Sequence, residues 1–454
     1  MTAFDPGVRV HVVGVGGAGM SGVARLLVEK GCVVSGCDVA NVAVLEELAQ
    51  LGIRVAYSHD ARHVHEAQVV LYSPAIQHDN VEMVAAREQG VALVPRSELL
   101  AELAKEQRVI GLTGTHGKTT ATSMMVHVLH AAGRDDSRLL GAAVVGIGPN
   151  GHFGNGDLIL EVDESFGSFT KLRPYALGVL NVEADHLDYY QSLAELERAF
   201  AELVERTKGP VVVFDDPGSR RSIVGASRDV IVVGTNEQSA WQVRDIHLAR
   251  QRAEFAMLTP FGSYDVALRV TGLHNVANAA TVAALALAMG VDPLRVVEGL
   301  HAFAGVPRRF EYVGTWSDVD VYEDYAHLPS EIRATIAAAK AAGYRRIGVV
   351  FQPHRVTRTT SLAEQFAHAF DGCAALIVSD IYDAGEANPF KVTGEIIANV
   401  VRATNPGFLT SFAPTFHDVA RALGALHEEF DMVVFMGAGD IADVSQLLEG
   451  GVVR

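Results

Sequence analysis

Near the start of the chain a run of apolar and β-branched positions, RVHVVGV (9–15), breaks into glycines. It is followed by MSGVARLLVEKG (20–31), whose apolar residues recur at helical spacing up to a closing glycine. Such a run predicts a strand, and the 3.6-residue recurrence predicts a helix. CVVSGCD (32–38) reads as a second strand and AQVVLYSPAI (67–76) as a third, turning at Ser73-Pro74. Strand–helix–strand repetition predicts a parallel sheet. A second block opens with RVIGLTGTHGKTTATSMMVHVLHAAG (108–133), which reads as strand, loop, long helix and glycine stop. Further strands are predicted at LILEVD (158–163), ALGVLNV (176–182), PVVVFDD (210–216) and VIVVG (230–234). AEFAMLTPFGSYDVALRV (253–270) reads as an antiparallel hairpin turning near Gly262, and NVANAATVAALALAMG (275–290) as a helix. A third block starts with DVDVYEDY (318–325) and continues with strands RIGVVFQ (346–352), AALIVSD (374–380) and MVVFMGAG (432–439). RDDSRLLGAAVVGIGPNGHFGNGD (134–157), rich in glycine, reads as a long functional loop. The expectation is an α/β chain of three domains: a Rossmann-like domain over 1–107, a central P-loop domain over 108–312, and an open-sheet domain over 313–454.

Composition narrows the function. At 454 residues the chain is too long for one core. Its 37 basic against 54 acidic residues give a net charge of −17, which argues against non-specific binding to nucleic acid or an anionic membrane surface. Small phosphorylated ligands remain open, because loops and helix N-termini bind anions without a basic surface. Cys32, Cys37 and Cys373 show no metal-ligand spacing, so a reducing cytoplasm is expected. The start lacks the pattern of a leader peptide, and no apolar run is long enough to span a membrane.

Two glycine loops of different type carry the candidate chemistry. Gly14, Gly16 and Gly19 fit G-x-G-x-x-G between a strand and a helix, and Asp38 closes the next strand. Glycines let the backbone approach a diphosphate, and the helix N-terminus stabilises its charge. A nicotinamide dinucleotide and a UDP-sugar both present that diphosphate, so the pattern leaves the ligand open. TGTHGKTT (113–120) is a P-loop variant with Leu112 where the strict form has glycine. Its amides would cradle phosphates, Lys118 would reach the β- and γ-phosphates, and the Thr119 hydroxyl would hold Mg²⁺. A dehydrogenase reading leaves this second loop without a purpose.

The motifs HVVGVGGAGMSG, GTHGKTT, NVEADHLDYY, GLHNVANA, VPRRFE and FQPHRVTRT, spread in order over the chain, resemble those of the Mur ligases, relatives of folylpolyglutamate synthetases. The resemblance implies an ATP-dependent carboxylate–amine ligase acting through an acyl phosphate. Within the family it points to the alanine-adding branch, whose substrates are UDP-N-acetylmuramate and L-alanine. It implies UDP-sugar contacts at Gly14, Gly16, Gly17, Gly19, Met20, Ser21, Asp38 and Ser73. ATP is expected at Gly114, Thr115, Gly117, Lys118, Thr119, Thr120, His274, Asn275, Asn278 and Asp324. Mg²⁺ ligands are expected at Thr119, Glu161 and His186. Lys118 and Arg309 would stabilise the transferring phosphoryl group. Tyr325, His327, Arg355 and Arg358 would hold the amino acid, with His327 also taking a proton from its ammonium. Spaced by three, Arg355 and Arg358 would share a face if their segment is helical. A monomer or weak homodimer is expected.

Three positions depart from the family pattern: Leu328 in EDYAHLP, Phe166 in ESFGSF and Val356 in FQPHRVTR. They bear on substrate preference more than on reaction class. Sister ligases carry a modified lysine about fifteen residues beyond the DH motif; here that count reaches Ala201 with no lysine nearby, which agrees with the alanine-adding branch. Glycine, L-serine or a recycled peptide as the nucleophile stays open, since a small pocket separates the first two from alanine by only about 1–3 kcal/mol per methyl group.

Overall fold

A computed structural model describes residues 4–453 apart from 40–41, 74–75, 185–186, 238 and 449. The expected turn at Ser73-Pro74 therefore lies partly outside the described residues. The chain divides into two compact units. The first comprises residues 1–246, 254–268 and 274–304, and the second 247–253, 269–273 and 305–454.

The first unit holds two sheets. The smaller has five parallel strands in the order Arg54–Ala56, Val33–Cys37, Arg9–Val13, Val69–Tyr72, Ala92–Pro95. We call Arg9–Val13 β1, the helix Ala18–Glu29 α1, and Val33–Cys37 β2. Val10, Val12, Val34 and Leu71 are buried in a core with Leu26 and Leu27 of α1. The strand order reverses at β1, so the glycine loop leaves the sheet at the switch point where open α/β sheets bind ligands. The short strand Arg54–Ala56 was not anticipated; with three residues it is too brief for its pattern to register.

The larger sheet is built on Val109–Thr113, every residue of which is buried. Ala176–Val179 and Leu158–Glu161 flank it in parallel. The predicted hairpin forms between Arg252–Thr259 and Gly262–Leu268 at the far edge of the sheet. Residues 134–157 correct the sequence reading. They contain the strands Ser137–Leu139 and Gly151–His152, paired antiparallel, with the former also parallel to Leu158–Glu161. The glycines serve close packing. A Cβ on Gly151 would lie 1.9 Å from the Gly22 carbonyl oxygen of α1. Asn150 Nδ2 donates to the Ala18 carbonyl at 2.6 Å. The segment thus fastens the central sheet to the helix that opens after the first glycine loop.

The second unit has six strands, ordered Glu311–Trp316, Val319–Asp324, Met432–Met436, Ile347–Phe351, Ala375–Val378, Leu409–Phe412. All neighbours run parallel except the first pair. The expected junction at 312/313 falls inside Glu311–Trp316, because that strand is held by its antiparallel pairing to Val319–Asp324. Among the described residues no helix is long and apolar enough to cross a membrane.

Candidate functional site

The two glycine loops lie in the first unit. After β1, Gly14 takes φ +74° and its amide and that of Val15 donate to the Cys37 carbonyl at 2.9 and 3.0 Å. Asp38 accepts the Gly16 amide at 2.9 Å. The acid therefore fixes the loop rather than only lining it. Gly17 is the N-cap of α1, with no side chain bonded there. Gly19 makes room for an arginine: a Cβ would lie 2.6 Å from Arg96 Nη1. The Met20 side chain is buried in the core, and the Ser21 hydroxyl donates to the Ala18 carbonyl and takes a bond from Asn150 Nδ2. Both side chains are buried on α1. The Ser73 carbonyl accepts from the Ile76 amide.

The second loop follows Val109–Thr113 and opens the helix Lys118–Ala131. Gly117, the N-cap, has φ +84°, and a Cβ there would sit 2.7 Å from Asn278 Oδ1. Both the left-handed backbone and the buried asparagine require glycine. Asn181 braces the loop, its Oδ1 accepting the His116 amide at 2.8 Å while its carbonyl accepts the Thr115 amide at 3.1 Å. Lys118 Nζ donates to the carbonyls of Gly114 (2.7 Å) and Thr115 (3.2 Å) and pairs with Glu164 at 2.9 Å. Glu164 is fully buried, and burial raises its carboxyl above the ordinary range against the pull of Lys118.

Thr119, in the first turn of the helix, donates its hydroxyl to Glu161, which also accepts the Gly141 amide at 2.8 Å. Burial raises the Glu161 carboxyl despite these bonds and the nearby charges of Arg96 and Lys118. A hydroxyl and a carboxylate in contact are hard oxygen donors suited to Mg²⁺. His186, the third implied ligand, lies outside the described residues, as does the side chain of Phe166. Thr120 continues the helix; on the helix Leu273–Ala288, Asn275 and Asn278 are buried and His274 is exposed. Asn275 lies inside this helix rather than capping it.

In the second unit, Asp324 ends the strand Val319–Asp324 and accepts amides from Phe310 and Ala326 at 2.8 and 2.7 Å. Burial raises its carboxyl to about 6. The exposed Arg309 lies over the Tyr325 ring at 5.3 Å. Its neighbour Arg308 is structural, donating to the carbonyls of Gly437 and Gly439. His327 Nδ1 lies 2.9 Å from the Tyr325 carbonyl. A carbonyl only accepts, so Nδ1 carries the proton and Nε2 keeps a lone pair. Burial lowers the His327 value, with the Arg358 and Arg309 charges adding to the effect and Glu331 opposing it.

Arg355 and Arg358 do not share a helical face. The helix is Val356–Leu362, and Arg355 is its N-cap at φ +68°, its amide bonded to the Tyr382 carbonyl at 2.8 Å. Arg358 Nη1 lies 3.1 Å from His354 Nδ1, and Arg355 lies 3.8 Å from Glu386. The two are still close enough that, after burial, Arg355 is the main influence lowering the Arg358 value. His354 stacks on Tyr382 and contacts His327, with ring centroids 5.7 Å apart in each case. Leu328 caps the helix Pro329–Ala341, its amide bonded to Glu331, and Val356 is buried.

Several of these residues escaped sequence reasoning. Glu164, Asn181 and His354 sit inside the quoted motifs but carry roles that only contacts reveal. Arg96 gave no signal: its Nε is buried without a hydrogen-bond partner among the described residues, and its charge acts on Glu161 and Asp163.

Three family models match: "Mur ligase family, catalytic domain" over 9–108, "Mur ligase middle domain" over 112–287, and "Mur ligase, glutamate ligase domain" over 308–439. A UDP-N-acetylmuramate–L-alanine ligase of Burkholderia cenocepacia is 38% identical over 448 residues, 96% of each chain. One from Nitratidesulfovibrio vulgaris is 36% identical, covering 97% of this chain and 98% of its own. The crystal structure of a UDP-N-acetylmuramate–alanine ligase from Thermotoga maritima superimposes with a TM-score of 0.82 at 29% identity, over 97% of this chain and 98% of that one. A murein peptide ligase from Psychrobacter arcticus shares the fold, with a TM-score of 0.72 at 23% identity over 99% of this chain and 100% of its own.

Proposed function

The chain belongs to the Mur ligase family, and from that footing we propose that it joins L-alanine to the lactyl carboxylate of UDP-N-acetylmuramate, converting ATP to ADP and phosphate in peptidoglycan precursor synthesis. The observation that carries the reading is the placement of both glycine loops in one compact unit, fastened by Asn150 on Ala18 and by Gly151 against Gly22. A UDP diphosphate fits the loop at 14–19, and ATP phosphates fit the loop at 114–120. Arg96 supports the same reading, as a partly buried cation beside the first loop whose charge acts on Glu161 and Asp163.

The lactyl carboxylate oxygen attacks the γ-phosphorus and ADP leaves, giving an acyl phosphate. The alanine nitrogen then adds to the acyl carbon, and the tetrahedral adduct expels phosphate. Lys118 trades Glu164 for the β- and γ-phosphates, and Arg309 meets charge on the transferring group. Thr119 and Glu161 would hold Mg²⁺, with His186 as the third ligand implied by the family resemblance; the ion would neutralise phosphate charge. Asp324 contacts the ATP ribose. Arg355 and Arg358 bind the α-carboxylate of alanine, and the Nε2 lone pair of His327 receives the ammonium proton. The three free cysteines suit a cytoplasmic enzyme.

The test is phosphate release from MgATP and UDP-N-acetylmuramate with L-alanine, glycine, L-serine, D-glutamate or no amino acid, and the product identified by mass. Strong stimulation by L-alanine is expected. A larger response to glycine or L-serine would change the acceptor and keep the reaction class. No response to any, with both nucleotides bound, would overturn the proposal.

A further inference from the structure

Behind the first glycine loop lies a second group of reactive side chains that the ligase chemistry does not use. It gathers His11 from β1, Cys37 from the end of β2, His63 from the short 3₁₀ turn Ala61–Val64, and Glu82 from the helix Val81–Glu88. One ligand atom from each falls within 4.8 Å of all the others. Glu82 is fully buried at the centre. Cys37 Sγ lies 2.7 Å from its Oε2, His63 Nδ1 2.7 Å from its Oε1, and His11 Nε2 3.4 Å from Oε1. His59 Nδ1 flanks the group, 2.8 Å from Glu82 Oε2 and 3.2 Å from Cys37 Sγ.

Two observations separate this group from an ordinary buried acid with hydrogen-bond donors around it. His11 is 1% exposed, and its Nε2, aimed at the cluster, makes no well-formed hydrogen bond among the described residues; its nearest partner is Glu82 Oε1 at 3.4 Å. Its other nitrogen, Nδ1, is held by the Ser35 hydroxyl at 3.0 Å. A ring fixed from behind by a hydroxyl, with the opposite nitrogen turned inward, is how metal-ligating histidines are oriented. The donor set is two imidazoles, a thiol and a carboxylate, which suits Zn²⁺ or a similar borderline cation and not Mg²⁺ or Ca²⁺.

We propose that His11, Cys37, His63 and Glu82 form a transition-metal site of the Zn²⁺ class. Tetrahedral ligand atoms at Zn²⁺ bond lengths stand about 3.4–3.7 Å apart, so the two pairs at 2.7 Å open by somewhat under about 1 Å on binding. The Cys37 thiol proton leaves to solvent as the metal–sulfur bond forms, and His63 carries its proton on Nε2. His59 and His63 side chains are 24% and 25% exposed, which provides an entry path. The site is structural in its effect. Cys37 is the residue whose carbonyl anchors the amides of Gly14 and Val15, so ligation of its side chain stiffens the first glycine loop.

The test uses the reduced full-length chain, stripped with chelator and held in excess Mg²⁺ to fill the oxygen-ligand site. Co²⁺ is titrated in and a sulfur-to-cobalt charge-transfer band is sought in the near ultraviolet; Zn²⁺ stoichiometry is read by native mass spectrometry. One equivalent with the thiolate band, abolished in Cys37→Ser and His63→Gln, is expected. Ser35→Ala keeps all four ligands and loses about 10–100-fold in affinity. A folded wild-type protein that gives no thiolate band overturns the proposal, as does a band that survives in Cys37→Ser. Ligase turnover is not the readout, so failure here is distinct from failure of the proposed function.

Discussion

The contact between Gly151 and Gly22 sets a strong test, because it ties the two nucleotide loops together through backbone alone. In Gly151→Ala the new methyl carbon would lie 1.9 Å from the Gly22 carbonyl oxygen, 2.5 Å from its carbonyl carbon and 2.7 Å from its Cα. No side-chain rotation relieves this, because every atom met is backbone. Atoms repel steeply well inside the ~3.5–4 Å contact optimum, so α1 and the strand Gly151–His152 must part by about 1 Å or more. Overpacking of this kind costs about 1–3 kcal/mol of stability. The same shift moves the diphosphate loop relative to Lys118, and a misplacement of about 1 Å costs on the order of 100-fold in turnover. The assays are the urea midpoint of unfolding, kcat for ligation, and ATP affinity by calorimetry. A lower midpoint, a kcat down by about 100-fold and near-normal ATP affinity are expected, since the 114–120 loop is braced separately by Asn181. Wild-type stability and turnover in Gly151→Ala would refute the argument that this glycine sets the spacing of the two loops.

Three further outcomes follow from particular contacts. Lys118→Ala is expected to abolish ligation while UDP-sugar binding survives, because the proposed UDP-sugar site is the other loop. It also leaves buried Glu164 without its cation, at a cost of about 3–5 kcal/mol. Glu164 is raised in the folded protein, so its stability contribution is full at low pH and lost as pH rises through the folded value; the variant's deficit in thermal melts therefore shrinks on acidification. His327 is depressed, so the neutral base persists below the ordinary imidazole range; the acid limb of kcat/KM should fall below that range and vanish in His327→Gln. Full turnover by His327→Gln at neutral pH would remove it from the proton transfer. Gly424→Ala stabilises by about 0.5–1 kcal/mol with activity unchanged, since this exposed position in the helix Phe416–Leu426 has no atom within 4 Å of the new methyl. Urea unfolding checks this value.

Local order along the chain determined the elements, and the resemblance of its motifs to those of the Mur ligases implied the reaction class. Period and glycine placement were enough for β1, α1, the P-loop strand and its helix, because each is specified by neighbours within a few turns. The phosphate loops were legible for the same reason: their chemistry lies in consecutive backbone amides. Pairing across distance was not legible. Residues 134–157 look like a loop because glycine weakens strand patterning, and only the approach of α1 gives those glycines a purpose. Arg355 and Arg358 have helical spacing, yet the Tyr382 carbonyl holds Arg355 outside the helix. Arg96 acts on the glycine loop from a helix some eighty residues downstream. Cys37 shows no ligand spacing in sequence because its neighbours His11, His63 and Glu82 come from three other elements. Parallel sheets bring the ends of separated strands side by side, so a group gathered at such ends exists only after the sheet has formed.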